Sequence, residues 1–152
     1  SYKLSEALDS FFLKDDFLLM TNKKIIEQLI NTLTFDQNGL IPAIAQQYNT
    51  GEVLMMAWMN KESISTTLLE NRVVYWSRSR QNLWRKGDTS GQIQELIEFR
   101  WDCDTDSLLL QVNQTGVACH TGRRTCFFNA VRDDKIEVIS DVKIEPDILY
   151  KQ

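Results

Sequence analysis

Residues 94–113 read QELIEFRWDCDTDSLLLQVN and carry the clearest structural signal in the chain. Two segments that suit β-strands, residues 94–102 and 107–113, flank the short polar run Asp104-Thr105-Asp106. This pattern is typical of two antiparallel strands joined by a tight turn. The stretch therefore predicts a β-hairpin with aspartates clustered at its tip.

Further strands and a short helix are predicted on both sides of this hairpin. Asn38-Gly39 predicts a turn that opens a strand, and Asn60 is expected to cap a helix that ends near residue 70. Residues 77–92 are polar and are expected to form a long irregular loop of functional importance. The remaining predicted strands cover residues 39–48, 52–59, 73–77, 127–131 and 136–139. The predicted class is α+β, with mostly antiparallel strands and a few short helices.

The N-terminal residues have a different pattern. Residues 5–13 and 22–33 carry apolar side chains at spacings of three and four, which predicts two helices. We therefore expect an N-terminal helical extension over residues 1–34, one main domain over 35–131 and a C-terminal tail over 132–152, in a single globular domain overall.

Composition restricts the classes of function. The chain has 152 residues, of which 43% are hydrophobic, and this is typical of a globular domain. Its formal net charge of -4 argues against binding of a nucleic acid, because such proteins are usually basic. No apolar run is long enough to span a membrane, and Lys14-Asp15-Asp16 interrupts the apolar N-terminal residues, so no secretory signal is expected. Three cysteines are too few for a disulfide framework, which favours reduced thiols in a cytoplasmic protein.

The three cysteines are candidate metal ligands. Cys103, Cys119 and Cys126 are separated by 16 and 7 positions, so the paired spacing of structural zinc sites is absent. Three thiolates with one open position would suit a catalytic zinc that activates a water molecule. The alternative is that they are free cysteines buried as small apolar residues.

Asp102, Asp104 and Asp106 offer a second set of candidate ligands. Clustered carboxylates suit Mg²⁺ or Ca²⁺, although acidic hairpin turns also occur without an ion. An EF-hand is unlikely to form, because Ser107 follows where that loop requires a glycine.

Alternation along the chain suggests a subunit interface. If residues 102–106 are extended, the aspartates face one side of the strand and Cys103 faces the other. Cys103 would then reach the partner's Cys119 and the partner's Cys126 across a dimer interface, which is a hypothesis.

His120 is the only histidine and lies next to Cys119. It is placed to transfer protons beside a metal-activated water, to serve as a fourth zinc ligand, or to form ordinary surface hydrogen bonds.

Basic residues gather in two predicted loops of this acidic protein, which suggests an anionic ligand. Guanidinium groups bind phosphate oxygens in pairs, Thr89-Ser90-Gly91 offers hydroxyls and accessible amides, and Trp84 is able to stack on a purine. The alternative is a solvated charged loop. The basic residues are Arg78, Arg80, Arg85, Lys86, Arg123 and Arg124.

Several motifs together resemble the phosphoribosyl-AMP cyclohydrolase family from about residue 35 to residue 131. Val117 stands where the family often has proline, and Asn129 where a basic residue is common. The motifs that carry the resemblance are Trp76-Ser77-Arg78-Ser79-Arg80, Leu83-Trp84-Arg85-Lys86-Gly87 with Thr89-Ser90-Gly91, Asp102-Cys103-Asp104-Thr105-Asp106, Ala118-Cys119-His120-Thr121-Gly122-Arg123-Arg124, and Cys126-Phe127.

This resemblance implies a metal-dependent hydrolase of histidine biosynthesis that acts on a cyclic amidine. It implies hydrolytic opening of the N1–C6 bond of the adenine ring in N1-(5-phosphoribosyl)-AMP, a nucleotide with two phosphates, in an intertwined homodimer. Cys103, Cys119 and Cys126 would bind one zinc per subunit, shared between subunits, and Asp102, Asp104 and Asp106 would bind one Mg²⁺ per subunit. His120 would be catalytic. The chain is expected to be monofunctional, and the residues expected to bind the substrate are Arg78, Arg80, Trp84, Lys86, Thr89, Ser90, Gly91, Arg123 and Arg124.

Three other functions compete with this interpretation. A zinc nucleobase deaminase would need a Pro-Cys-x-x-Cys pair, which this sequence lacks. A zinc-stabilised interaction module would unfold when the metal is removed, whereas a catalytic zinc site would first lose turnover. An RNA-binding protein would normally be basic and carry an aromatic RNA-reading motif.

Overall fold

The computed structural model describes residues 22–151 of the chain. It divides into two compact units at Leu33 and Thr34. In the first unit, residues 22–32 form helix α1, and Ile26, Leu29 and Leu33 are buried at helical spacing. The helix predicted over residues 22–33 is confirmed, whereas the helix predicted over residues 5–13 lies outside the described residues.

The second unit holds all the described strands. It also holds two helices. In chain order the elements are β1 (Ile41–Gln47), β2 (Val53–Met59), α2 (Lys61–Glu70), β3 (Val74–Ser77), β4 (Asn82–Arg85), β5 (Gln94–Trp101), β6 (Leu108–Gln114), β7 (Asn129–Arg132), β8 (Lys135–Val138) and α3 (Pro146–Leu149).

Six strands form one sheet in the order β4-β3-β2-β1-β6-β5, and β7 pairs with β8 in a separate hairpin. Every pairing is antiparallel except that of β1 with β6, where Ala43 lies opposite Leu108 and Gln47 opposite Val112. The predicted α+β class is confirmed, and the predicted hairpin over residues 94–113 is present as β5 and β6. The sheet is mixed, because β1 and β6 lie side by side and run in the same direction.

Buried and more exposed side chains alternate along β1, and the buried ones form part of the core. Ile41, Ala43 and Ala45 of β1 are fully buried, and Pro42 and Ile44 between them are more exposed. The side chains of β1 therefore divide between a buried and a partly open face of the sheet. Burial of the first face provides the main stabilising free energy of this unit.

Helix α2 begins and ends on local signals. The side chain of Asn60 accepts a hydrogen bond from the amide of Ser63, and the hydroxyl of Ser63 accepts one from the amide of Asn60, both at 2.8 Å. This reciprocal pair is a capping box, and it confirms the predicted cap. Asn71 ends the helix in the left-handed conformation, which asparagine tolerates well.

The prediction of an irregular loop over residues 77–92 is wrong at Asn82–Arg85, because these residues form strand β4. Gln81 has a positive φ of 51° and turns the chain, so that Asn82–Arg85 pairs back against β3. Trp84 packs on the buried Tyr75 with ring centroids 5.5 Å apart. This contact, made by a single aromatic side chain in a polar segment, stabilises a strand that its own composition does not indicate.

Among residues 22–151, no helix has the length and apolar character needed to cross a membrane.

Candidate active site and metal centre

The three aspartates lie at the tip of the β5–β6 hairpin. Asp102, Asp104 and Asp106 are exposed, and one carboxylate oxygen from each lies within 4.8 Å of the others. The condition for alternation along a strand is not met, because Thr105 adopts a positive φ of 63° and residues 102–106 form the tight turn predicted between the two strands. One carboxylate oxygen of Asp102 accepts hydrogen bonds from the amides of Asp106 at 3.0 Å and Ser107 at 3.2 Å. Turn formation, and not alternation along a strand, brings the carboxylates together.

Electrostatics within this acidic turn fit a divalent cation. Desolvation raises the pKa of Asp106, and the neighbouring charges of Asp102 and Asp104 raise it further. For Asp102 desolvation also acts upward, but hydrogen bonds from the amides of Asp106 and Ser107 hold its pKa below the ordinary value. A cation bound to oxygen ligands would relieve the repulsion between these carboxylates.

Cys119 and Cys126 come together in a tight loop. The amide of Ala118 donates to the carbonyl of Arg124 at 3.0 Å, and the amide of Cys119 donates to the carbonyl of Arg123 at 3.1 Å. The amide of Cys126 donates to the carbonyl of Leu54 in β2 at 2.7 Å, which fixes the end of the loop on the sheet. The Cys119–Cys126 loop is therefore a closed turn anchored at its far end.

Cys103 does not join the other two thiols within one chain. It is exposed, whereas Cys119 is buried and Cys126 is half-buried, and among residues 22–151 the three cysteines form no three-ligand group. Two thiols and one further ligand are the kind of donor set that zinc accepts. The residues present fit a zinc site that needs a ligand from outside the loop.

The Cys119–Cys126 pair is electrostatically unusual. Burial raises the pKa of the Cys126 thiol to about 12, with a further contribution from the neighbouring Cys119 and an opposing one from Lys86. Cys119 also accepts a hydrogen bond from the hydroxyl of Thr121, with an oxygen–sulfur distance of 3.0 Å. A thiol that holds its proton in this way is stabilised as a thiolate when a metal cation binds it.

Lys86 connects this thiol pair to a neighbouring cavity. Its side chain is buried, and its ammonium group donates a hydrogen bond to the carbonyl of Ala118, next to Cys119. The same ammonium group lies 5.3 Å from the ring centroid of Trp84. Burial lowers the pKa of Lys86, and the thiols of Cys126 and Cys119 act in the opposite direction.

One cavity collects most of the residues predicted to bind the substrate. It has a volume of about 210 Å³ and combines two cationic groups, three hydroxyls and two aromatic rings, one of which is the phenol that carries the third hydroxyl. This combination fits a phosphorylated ligand with a flat or sugar-like portion. Its lining residues are Arg80, Trp84, Lys86, Gly87, Thr89, Ser90 and Tyr150.

A second, larger cavity shares Arg80 and Trp84 with the first. Its volume is about 680 Å³, and it opens along the end of β3. The guanidinium of Arg78 lies 4.9 Å from the ring centroid of Trp58 at this site. Trp58 and Trp76 are half-buried and line this cavity. The other lining residues are Met56, Ala57, Ser77 and Ser79.

The remaining predicted residues lie outside both linings. His120 is exposed on the turn closed by the hydrogen bond from the amide of Gly122 to the carbonyl of Cys119. The guanidinium of Arg124 binds Glu52 at 3.0 Å and the carbonyl of Gly116 at 2.6 Å, so it braces the Cys119–Cys126 loop.

Arg123 and Gly91 also make contacts within the protein and line neither cavity. Arg123 donates to the carbonyl of Ser140 at 2.9 Å and lies 4.2 Å from the ring centroid of Phe128. Gly91 is in the turn next to Ser90, where its amide donates to the carbonyl of Gly87 at 2.8 Å.

Comparison with known proteins agrees with this arrangement of residues. The family model described as phosphoribosyl-AMP cyclohydrolase matches residues 55–128. A protein of Rhodospirillum centenum with that name is 65% identical over 126 residues, which cover 83% of this chain and 95% of the relative. Relatives of the same name from Alkalilimnicola ehrlichii (55% identical; 84% of this chain and 90% of the relative) and Granulibacter bethesdensis (54% identical; 82% and 98%) are also similar.

This chain belongs to the phosphoribosyl-AMP cyclohydrolase family. The family match spans the sheet from β2 to β6, the acidic turn, the Cys119–Cys126 loop and most of the lining of both cavities. Arg80, Trp84 and Lys86, which the motifs indicated, are among the residues that the fold brings together.

Two further lining residues of the smaller cavity were not predicted from the sequence. Gly87 has a φ of +88°, and a β-carbon there would lie 2.6 Å from the main chain of Gln92, so only glycine fits. The Lys86-Gly87-Asp88 sequence was a possible signal for that turn. Tyr150 lies beyond the matched residues, in the tail, and no local pattern indicates that it lines the cavity.

Proposed function

We propose that this protein is a phosphoribosyl-AMP cyclohydrolase of histidine biosynthesis, which hydrolyses the N1–C6 bond of the adenine ring in N1-(5-phosphoribosyl)-AMP. The observation that carries the proposal is the hydrogen bond from Lys86, which lines the 210 Å³ cavity, to Ala118 beside Cys119. It links a pocket suited to a phosphorylated ligand with a thiol pair suited to a metal. The names and identities of the relatives support the same conclusion.

The two adjoining cavities support a substrate with two phosphates and a purine. We assign one phosphate to the smaller cavity, where Lys86, Thr89 and Ser90 offer charge and hydroxyl donors. The larger cavity offers Arg78 with the indole rings of Trp58 and Trp76, which suit the second phosphate and the base. Arg80 and Trp84 line both cavities, so they would contact the substrate between its two phosphates. Gly91, Arg123 and Arg124, which the motifs also indicated, would act from the edges of this site.

The proposed zinc site combines two chains. Cys103 of one protomer would join the partner's Cys119 and the partner's Cys126, which is consistent with the exposure of Cys103 and its separation from the other two thiols. When bound there, zinc supplies Lewis acidity and lowers the pKa of a water molecule toward neutrality.

Exposed apolar side chains support a homodimer. Ile44, Met56 and Leu109 are opposite one another across three neighbouring strands, and Ile44 and Met56 are 36% and 43% exposed. On the β7–β8 hairpin, Val131 lies opposite Ile136, and these side chains are 79% and 85% exposed. Apolar surface of this kind is commonly covered by a partner, and a two-fold dimer would cover it on both protomers.

The acidic turn is the proposed Mg²⁺ site. Asp102, Asp104 and Asp106 provide carboxylate oxygens, the ligands that Mg²⁺ prefers, together with the bound phosphates of the substrate. Three free thiols and the proposed biosynthetic role are consistent with a cytoplasmic protein.

His120 is the proposed acid–base residue. Water adds to C6, the C6–N1 bond breaks, and N1 takes up a proton, which yields the formimino-aminoimidazole carboxamide ribonucleotide. The imidazole of His120 is exposed beside Cys119, and an imidazole ring can both accept and donate a proton, so it is suited to carry this proton.

An absorbance assay of ring opening tests the proposal. Zinc-loaded protein with added Mg²⁺ should turn over phosphoribosyl-AMP, and a chelator should abolish turnover before it unfolds the protein. Absence of turnover in the fully loaded protein would overturn the assignment. Circular dichroism of the same chelated sample separates loss of catalysis from loss of fold.

Replacement of His120 tests its proposed role. His120→Ala should lower kcat by about 10²-fold with an unchanged zinc content. An unchanged kcat would exclude acid–base catalysis, and loss of zinc would identify His120 as a ligand.

A further inference from the structure

The C-terminal segment is attached directly to the Cys119–Cys126 loop. The amides of Lys143 and Ile144 both donate to the carbonyl of Gly122, at 2.8 and 3.1 Å. Gly122 has a φ of +83°, and a β-carbon there would lie 1.8 Å from the carbonyl oxygen of Ile144. The loop and the tail are therefore packed main chain against main chain, which leaves little freedom in the position of the tail.

Helix α3 fixes the position of Tyr150. Pro146 begins this short helix, and the amide of Tyr150 donates to the carbonyl of Pro146 at 3.1 Å. Leu149 is only 6% exposed, so its side chain anchors the end of the tail in the protein interior. Tyr150 follows this anchor directly and is 45% exposed.

Of the lining residues found among residues 22–151, Tyr150 alone comes from outside residues 80–90 in the 210 Å³ cavity. Burial raises the pKa of its phenol, and the nearby thiol of Cys119 acts in the same direction. The phenol hydroxyl of Tyr150 is a hydrogen-bond donor at a cavity that also holds Arg80, Thr89 and Ser90, all of which suit an anionic oxygen.

We propose that Tyr150 is a substrate-binding residue, whose phenol hydroxyl donates a hydrogen bond to a phosphate oxygen of the nucleotide in this cavity. The inference rests on the proposed function, because it names a contact to the substrate proposed above. It gives the C-terminal tail a direct part in substrate binding. The tail would also join the phosphate-binding cavity to the loop that carries Cys119 and His120.

Steady-state kinetics of Tyr150→Phe test this contact. The substitution removes one hydroxyl and retains the ring, so the fold should be preserved. Loss of a hydrogen bond to a charged group should raise KM for phosphoribosyl-AMP by about tenfold or more, with kcat nearly unchanged. Ile148→Ala is the matched control, because Ile148 lies in helix α3 two positions before Tyr150, is 66% exposed and does not line the cavity. It should retain the KM of the unmodified protein.

Binding of AMP gives a second measurement that does not depend on turnover. Calorimetry should show a dissociation constant for AMP that is raised by Tyr150→Phe and unchanged by Ile148→Ala. An unchanged KM and an unchanged AMP affinity in Tyr150→Phe would overturn the inference, as would a fall in kcat alone. Absence of turnover in the unmodified, metal-loaded protein would instead refute the proposed function, and the AMP measurement would still decide whether Tyr150 binds a nucleotide phosphate.

Discussion

The ammonium group of Lys86 donates a hydrogen bond to the main-chain carbonyl of Ala118, the residue before Cys119. The two residues are 32 positions apart in the sequence, so this bond joins the turn after β4 to the loop that follows β6. A buried ammonium group without such a partner would be costly, and a buried carbonyl without a donor would be costly as well. The pair therefore holds the 210 Å³ cavity and the thiol loop in a fixed relation.

Replacement of Lys86 should impair both binding and stability. Lys86→Met retains most of the side-chain volume but removes the donor to Ala118 and the positive charge at the cavity. We expect the free energy of unfolding to fall by about 1–3 kcal/mol, because the carbonyl is left without a partner, and KM to rise at least tenfold. Urea unfolding and steady-state kinetics measure the two effects. Lys24→Met, at an exposed position of α1, is the control. Unchanged stability and KM in Lys86→Met would contradict the proposed link.

The zinc site can be tested by mixing two inactive variants. Cys103→Ala lacks the ligand expected from one protomer, and Cys126→Ala lacks a ligand expected from the other. In a mixed dimer, one zinc site would lack both Cys103 and Cys126, and the other zinc site would keep all three cysteines. After unfolding and joint refolding, half of the dimers should be mixed, so activity should return to roughly a quarter of that of the unmodified protein.

The separately refolded variants are the control for this experiment and should remain inactive. If all three cysteines acted within one chain, no mixed dimer would contain a complete site. Activity that stays at background after joint refolding, in samples shown to exchange subunits, would therefore refute the shared site.

Local sequence signals predicted the elements that local interactions form. Asn60 and Ser63 are three positions apart and make the capping box of α2 by themselves. The hairpin of β5 and β6 was likewise predictable, because a tight turn joins two neighbouring strands. The parallel pairing of β1 with β6 has no such signal, since Ala43 meets Leu108 only after the intervening chain has folded.

For the acidic turn, the sequence predicted which residues cluster but not how their side chains are arranged. The polar run Asp104-Thr105-Asp106 predicted a tight turn, whereas the placement of Cys103 opposite the aspartates required residues 102–106 to be extended. In the structure, the side chain of Asp102 binds the amides of Asp106 and Ser107, and this competes with strand pairing. Tyr150 was missed for a different reason, because a tail that packs on a distant loop leaves no periodic pattern in the sequence.

Replacement of Asp104 should weaken the response to Mg²⁺ without loss of the turn. The side chain of Asp102 stabilises the turn, whereas Asp104 contributes a clustered carboxylate and is the cleaner position to test. Asp104→Asn should raise the Mg²⁺ concentration for half-maximal activity by about tenfold, since one charged ligand is lost. Activity measured against Mg²⁺ concentration at constant zinc provides the measurement.

Asp133→Asn is the matched control for Asp104→Asn. Asp133 is also exposed in a hairpin turn, where its φ of 49° suits asparagine as well as aspartate. It should leave the Mg²⁺ response unchanged. An equal Mg²⁺ response in Asp104→Asn and the unmodified protein would exclude the acidic turn as the activating site.

The metal-free protein should lose stability in alkaline solution because of Cys126. In the folded chain burial raises the pKa of this thiol from its ordinary value of 9.0 to about 12, whereas the unfolded chain releases the proton near the ordinary value. Above pH 9 the folded state therefore binds more protons, and the free energy of unfolding should fall as the pH rises toward 12. Lys86 acts in the opposite direction, because burial lowers its pKa below the ordinary value of 10.5.

Cys126→Ser isolates the contribution of the thiol, since serine does not titrate in this range. Urea unfolding at pH 8.5, 9.25 and 10, with chelator and reductant present, should show a decline in the unmodified protein that is shallower in Cys126→Ser. The contribution of Lys86 remains in both proteins and cancels in the comparison. Parallel pH dependences would mean that the Cys126 thiol ionises as readily in the folded chain as in the unfolded one, and that burial beside Cys119 does not hold its proton.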